Sequence, residues 1–111
     1  MAAGIPLLTI IDSRLPSGTQ RITLTGELDR TSAPTLQQWL RDAFDHHPGT
    51  PLELDLSALE FCDLAGLRTL QAVEQAATAA HCLAQIVAAA TCVDVLMQCS
   101  QTPDLLGYST S

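Results

Sequence analysis

Two aspartates occupy matching places in this sequence. Asp29 in "TGELDRTS" and Asp63 in "FCDLAGL" each follow a run with strand-like character and precede a run with helical spacing. A carboxylate there can accept hydrogen bonds from the free N–H groups of a helix's first turn. Two carboxylates on neighbouring turns can also share a metal ion or move a proton. Neither is accompanied in sequence by the partners that would complete a catalytic set. No Walker loop, G-x-G-x-x-G or nucleophile elbow is present either. The C-terminal edge of an α/β sheet is nonetheless where sites gather.

The turn at Asp63 has two readings. Leu64, Ala65 and Gly66 present a helix N-terminus, which favours anions, and Gly66 lets another backbone approach closely. Alternatively, Asp63 is a cap and Gly66 a packing glycine. His46 and His47 beside Asp45 offer imidazoles to a metal, or simply complement a helix C-terminus. Trp39 fits a core stripe better than a ligand platform. Ser57 and Thr69 are the hydroxyls nearest the turn. Cys62, Cys82, Cys92 and Cys99 form no C-x-x-C pair and lie in apolar stretches, so they read as small buried hydrophobes.

The chain that must position these groups has 111 residues, 47% hydrophobic and 15% charged, which suits a single domain over 1–111. Five arginines, no lysine and twelve carboxylates give a net charge of -7, which repels phosphate backbones and argues against nucleic acid. The opening "MAAGIPLLTII" is apolar but short and without a basic leader, and no run is long enough to cross a bilayer. A cytoplasmic protein with no membrane insertion is expected.

"LLTIIDSR" and "QRITLTG" read as a hairpin closed by the turn "LPSGT". A helix follows, capped by Thr31 or Ser32 and stopped at Pro48-Gly49; Leu36, Trp39, Leu40, Ala43 and Phe44 form its buried stripe. The alternation of Leu52, Leu54 and Leu56 with Glu53 and Asp55 marks a strand over 51–57 with one face on the core. Residues 65 to 80 form a second helix, with Leu67, Leu70, Val73 and Ala77 on one side. "CLAQIVAAA" is a further strand and "VDVLMQCSQ" a short helix with Val93, Leu96 and Met97 inward. The tail "DLLGYSTS" either adds a short strand or frays. This order predicts an α/β fold: a mixed β-sheet that opens with a hairpin and carries its helices mainly on one face.

Two separated stretches, "LTGELDRTSAPTLQQWL" and "LELDLSALEFCDLAGLRTLQAV", together resemble the STAS domain, the fold of bacterial anti-sigma factor antagonists. The first matches that family's G-E-L-D and first helix; the second matches its D-L-S, apolar run and D-S-[SA]-G-L. The resemblance implies a regulatory binding module with no catalytic activity, cofactor or metal. Its partner would be a serine kinase that is itself an anti-sigma factor, whose capture frees a sigma factor. Docking would use Asp29, Arg30, Asp63, Leu64, Ala65, Gly66, Leu67 and Arg68. In the family, a phosphorylated hydroxyl in this turn switches binding off. Here Ala65 stands at the acceptor's place and no phosphorylation of the turn is expected. Other expectations are a STAS subunit of a larger assembly, such as a lipid-transport ATPase, and a small-ligand protein using Asp29 and Asp63. The usual glycine-leucine after the last helix is missing.

Overall fold

The computed structural model describes residues 8–110; the apolar opening segment 1–7 lies outside them. Strands β1 (Leu8–Arg14) and β2 (Gln20–Leu28) form the expected antiparallel hairpin, whose turn is closed by Gly18 N–H donating to the Leu15 carbonyl at 2.9 Å. Helix α1 (Ala33–His46) leads to β3 (Leu52–Cys62), α2 (Leu64–Ala79) to β4 (Ala84–Ala89), and α3 (Thr91–Cys99) to a short pair, β5 (Asp104–Leu105) and β6 (Tyr108–Ser109). The main sheet has the order β1-β2-β3-β4, with β2, β3 and β4 parallel. Parallel neighbours need crossovers, and helices α1 and α2 supply them.

The period-two pattern explains why one sheet face is covered. Ile22 and Leu24 on β2 and Leu52, Leu54 and Leu56 on β3 are buried under the helices. Their alternates Arg21, Thr23, Glu53 and Asp55 lie on the other face, where Arg21 Nη2 meets Glu53 Oε1 at 2.6 Å. Leu36, Leu40, Ala43 and Phe44 of α1 and Leu67, Leu70, Val73 and Ala77 of α2 complete the core. Trp39 departs from expectation: it is half-buried at the margin of the α1 stripe, packed against the core but not within it. Leu96 of α3 is likewise only partly buried, while Val93 and Met97 are inside. No helix of the described residues is long and apolar enough to cross a membrane.

Strand β3 runs five residues beyond the Ser57 boundary read from its alternation. Its pairing with β2 shifts between Thr23 and Thr25 and again between Gly26 and Glu27, and each shift gives β3 one residue more than its partner. Such bulges break the period-two signal while keeping the strand paired. At the first, Asp55 Oδ1 accepts from Ser57 N–H at 3.0 Å and from the Ser57 hydroxyl at 2.6 Å, a turn-like motif inside a strand. These bonds hold the Asp55 carboxyl below its usual pKa. Leu59, after the first bulge, and Cys62, after the second, face the core, and Phe61 faces solvent.

Helices α2 and α3 end without glycine. His81 (φ 54°) and Gln101 (φ 55°) are left-handed, and Cys82 N–H and Thr102 N–H reach back to the Ala77 and Met97 carbonyls, each at 2.8 Å. These are Schellman endings, normally a glycine's place. They stop α3 at Cys99, earlier than the Pro103 signal suggested. The tail neither joins the main sheet nor frays. It forms its own two-strand hairpin through Leu106 (φ 49°) and Gly107 (φ 73°), the two-residue loop of a type I′ turn. Leu106 is buried, donates its N–H to Glu74 Oε2 at 2.8 Å and accepts from Ile86 N–H at 2.9 Å; Tyr108 donates its hydroxyl to Asp94 at 2.6 Å. The hairpin thereby closes the core beside β4.

One contact fixes α2 on the sheet. A Cβ built on Gly66 would lie 2.6 Å from the Leu28 carbonyl oxygen, 2.9 Å from Leu28 Cγ and 3.0 Å from Cys62 Sγ. Only glycine allows this approach. Gly66→Ala should therefore destabilise the protein by about 1–3 kcal/mol, the overpacking cost outweighing the gain in helix propensity; a urea midpoint at or above wild type would contradict this packing. In the opposite direction, Gln101→Gly relieves a left-handed non-glycine residue and should stabilise by about 0.5–1 kcal/mol. A urea midpoint that falls would mean that Gln101 contributes more than its backbone conformation indicates.

Candidate functional site

Strands β2 and β3 end side by side, with Leu28 paired to Cys62 and Asp63 N–H donating to the Leu28 carbonyl at 3.2 Å. The two aspartates thus start neighbouring turns at one sheet edge, and the N-termini of α1 and α2 open there. Asp63 is extended (φ -105°, ψ -176°) and caps α2, its Oδ1 accepting from Gly66 N–H at 2.9 Å. Of the two readings of this turn, capping with a packing glycine is what the geometry displays.

Asp29 does a different job. Its Oδ1 accepts from Thr31 N–H at 2.9 Å and Ser32 N–H at 3.0 Å, folding the 29–32 segment into a tight turn. The Ser32 N–H bond is the main reason the Asp29 carboxyl sits below its usual pKa; burial opposes it, and the Thr31 N–H and Ser32 hydroxyl assist. Ser32 occupies the N-cap position of α1 but makes no side-chain cap bond. Its hydroxyl donates to the Glu27 carbonyl at 2.8 Å, so the capping by Thr31 or Ser32 expected from sequence is replaced by the Asp29 turn. Both carboxylates are turned onto their own backbone, and the small-ligand role for Asp29 and Asp63 gains no support from this geometry. Among the described residues no three histidine, cysteine, aspartate or glutamate side chains gather to hold a metal.

An open groove runs across this edge, lined by Asp29, Arg30, Thr31, Phe61, Asp63, Leu64 and Ala65. Leu64 is 45% exposed and Phe61 47% exposed, so two large apolar side chains meet solvent in one groove. Arg68 is exposed one turn along α2 from Leu64, on the same helix face. Gly66 and Leu67, which the resemblance included in the docking set, are buried, Leu67 at 1% exposure. They shape the turn from beneath and are not offered to a partner. Phe61 escaped sequence reading because the alternation marks the strand only to residue 57, whereas β3 runs on to Cys62 and its two bulges together restore the facing set from Leu52. The groove also holds Thr31, a hydroxyl read from sequence only as a capping candidate.

The remaining candidates lie elsewhere. Thr69 is buried at 8% exposure, and Ser57 sits on the β3 bulge bonded to Asp55. His46 is in the last turn of α1, with Nδ1 at 2.8 Å from the Asp42 carbonyl, and His47 is the C-cap; both line a second open groove with Asp12, Gln20 and Trp39. All four cysteines are free. Burial, with Cys92 and Asp63 nearby, pushes the Cys62 thiol up to about 12, so it packs as a neutral filler. Cys82 and Cys92 are half-buried, but Cys99 is exposed at the end of α3 and does not fit the reading of a buried hydrophobe.

The family model described as "Mlab, STAS domain" matches residues 11–106. No curated protein matches the chain. Among solved structures, an anti-sigma factor antagonist from Mycobacterium paratuberculosis superimposes with a TM-score of 0.71 at 24% identity, covering 85% of this chain and 78% of that one. The anti-sigma factor antagonist SpoIIAA in its unphosphorylated form gives a TM-score of 0.70 at 18% identity, covering 85% and 82%. The STAS domain of an antisigma-factor antagonist from Rhodobacter sphaeroides gives 0.58 at 15% identity, covering 73% and 86%. At these identities the structures attest the fold, and the family model reaches from the middle of β1 to the tail hairpin, across both aspartate turns. The chain belongs to the STAS domain family.

Proposed function

We propose that this chain is a regulatory binding module of the anti-sigma factor antagonist kind. It captures an anti-sigma factor that is a serine kinase and thereby frees a sigma factor. The observation that carries this reading is the Phe61–Leu64 groove: exposed apolar side chains beside exposed Arg30, at a turn stiffened by the Asp63 cap and by Gly66 against Leu28. A rigid apolar pair with a polar rim is the composition of a protein-docking patch. Ala65 and Leu64 offer no hydroxyl, so the turn itself accepts no phosphate. The contact is made by Leu64 and Phe61, with Arg30, Arg68, Asp29 and Asp63 at the rim and Ala65 between them.

A second reading, a STAS subunit held in a larger assembly such as a lipid-transport ATPase, is favoured by the Mlab description of the matching family model and by an apolar residue at the turn. Recovery of the chain from its own cells separates the two: a stoichiometric transporter ATPase supports the assembly, and a kinase supports the antagonist.

Leu64→Asp should weaken binding of the cognate kinase by ~2 kcal/mol or more, because the new carboxylate must be desolvated in the contact. Calorimetric titration measures it, with circular dichroism as the folding control. Leu64 is half-exposed in the free protein, so its replacement should leave the fold intact. Equal affinities would remove this groove from the interface.

A further inference from the structure

We infer that the groove between the C-terminal end of α1 and the hairpin end of the sheet is a second docking site, which seats an arginine side chain of a partner protein. It lies at the opposite end of α1 from the Phe61–Leu64 groove, roughly 20 Å away along the helix. The inference is independent of the antagonist reading. Asp12 and Gln20 line the groove from the sheet, and Trp39 and Asp42 from α1. Gln20 is only 4% exposed. Its Nε2 donates to Asp12 Oδ1 at 3.0 Å, while its Oε1 accepts no hydrogen bond among the described residues. No fully buried side-chain nitrogen or oxygen among them lacks a partner, so this Oε1 meets solvent, and it does so where Gln20 lines the groove. An amide more than nine-tenths buried thus presents an unused acceptor to whatever enters.

The lining selects a guanidinium. Asp42 Oδ1 accepts from Gln38 Nε2 at 3.0 Å, as Asp12 does from Gln20, so both carboxylates are oriented by neutral amides. Neither has an ion pair among the described residues, and no arginine lines the groove. The C-terminal end of α1 adds its partial negative charge. Together these call for a cation. No three histidine, cysteine, aspartate or glutamate side chains gather among the described residues to hold a metal, so the fitting cation is organic. Trp39 supplies a flat wall: it packs against the core on one side, and with Asp42 it also borders the adjoining groove along α1. A guanidinium carries donors only, forks onto carboxylates and stacks on an indole, whereas an ammonium is a strongly hydrated point charge. The cavity, about 240 Å³, is smaller than the ~300 Å³ at which small-molecule sites begin, so it suits one side chain carried on a protein better than a whole ligand.

The chain has one tryptophan, so emission from Trp39 reports on this groove. The probe is a blocked tripeptide with arginine between two alanines, titrated into the full chain while Trp39 emission and backbone amide NMR shifts are recorded. Peptides with lysine or with neutral citrulline in place of the arginine are the controls. The arginine peptide should bind saturably in the millimolar range and move the amides of residues 39–47, the lysine peptide should bind about threefold more weakly, and the citrulline peptide should not bind measurably. Asp12→Asn and Asp42→Asn each keep an oxygen for the glutamine amide and remove only the charge, so the fold should be unchanged. Each should weaken the arginine peptide by about threefold, and added salt should weaken it further. Equal binding of the arginine and citrulline peptides, undiminished binding by both variants, or shifts that map away from residues 39–47 overturn the inference. Markedly tighter binding of free arginine than of the peptide would make this a small-molecule site, and a dimer lost in Asp42→Asn would seat a second copy of the chain; either result overturns the partner protein as occupant.

Discussion

The close approach of α2 to the end of β2 governs the arrangement of this edge. Gly66 lies so near the Leu28 carbonyl that no side chain fits between them, and Asp63 donates its N–H to that same carbonyl. These contacts pin the start of α2 to a strand whose own end leads into α1. Two helix N-termini are thereby held together, one capped by Asp63 and the other preceded by the Asp29 turn. The groove is the space left between two loops that share one anchor, Leu28. It therefore inherits the rigidity of the sheet.

The bulges in β3 decide which residues of the strand's second half face the core on the way to that edge. With unbroken alternation from Leu52, odd-numbered residues would continue on the open sheet face. The first inserted residue turns Leu59 to the core and the second restores the original facing, so Cys62 is buried and Phe61 lies in one groove with Leu64. Phe61 and Leu64, each nearly half exposed, line one groove and contribute little to the monomer's core. The bulges also explain how an eleven-residue strand can pair with a nine-residue one without a gap.

Most of the fold was legible because its signals are local. The hairpin turn, the α1 stripe, the alternation of Leu52, Leu54 and Leu56, and the Asp63-Gly66 turn each report on a few adjacent residues, and each appears where it was read. What was not legible depends on partners far off in sequence. The facing of Leu59 follows from the bulged register against β2; the helix ends at His81 and Gln101 use left-handed residues that are not glycine; the tail hairpin is held by Glu74, Ile86 and Asp94. Trp39 fitted the helical stripe by spacing, yet the core ends before it reaches that side of α1. Within the site, the aspartates and Leu64 were visible, the burial of Leu67 followed from a stripe already assigned to the core, and Thr31 and Phe61 needed the third dimension.

Charge gives the edge its final character. The chain carries a net charge of -7, yet the two carboxylates at the groove are met by N–H donors at helix N-termini: Thr31 and Ser32 for Asp29, Gly66 for Asp63. Each helix end contributes the equivalent of roughly half a positive charge, which offsets part of the negative field there. Arg30 and Arg68, two of only five cations in the sequence, are exposed around the same place. The negative charge of this edge is therefore partly offset, by N–H donors at the two turns and by two of the five arginines.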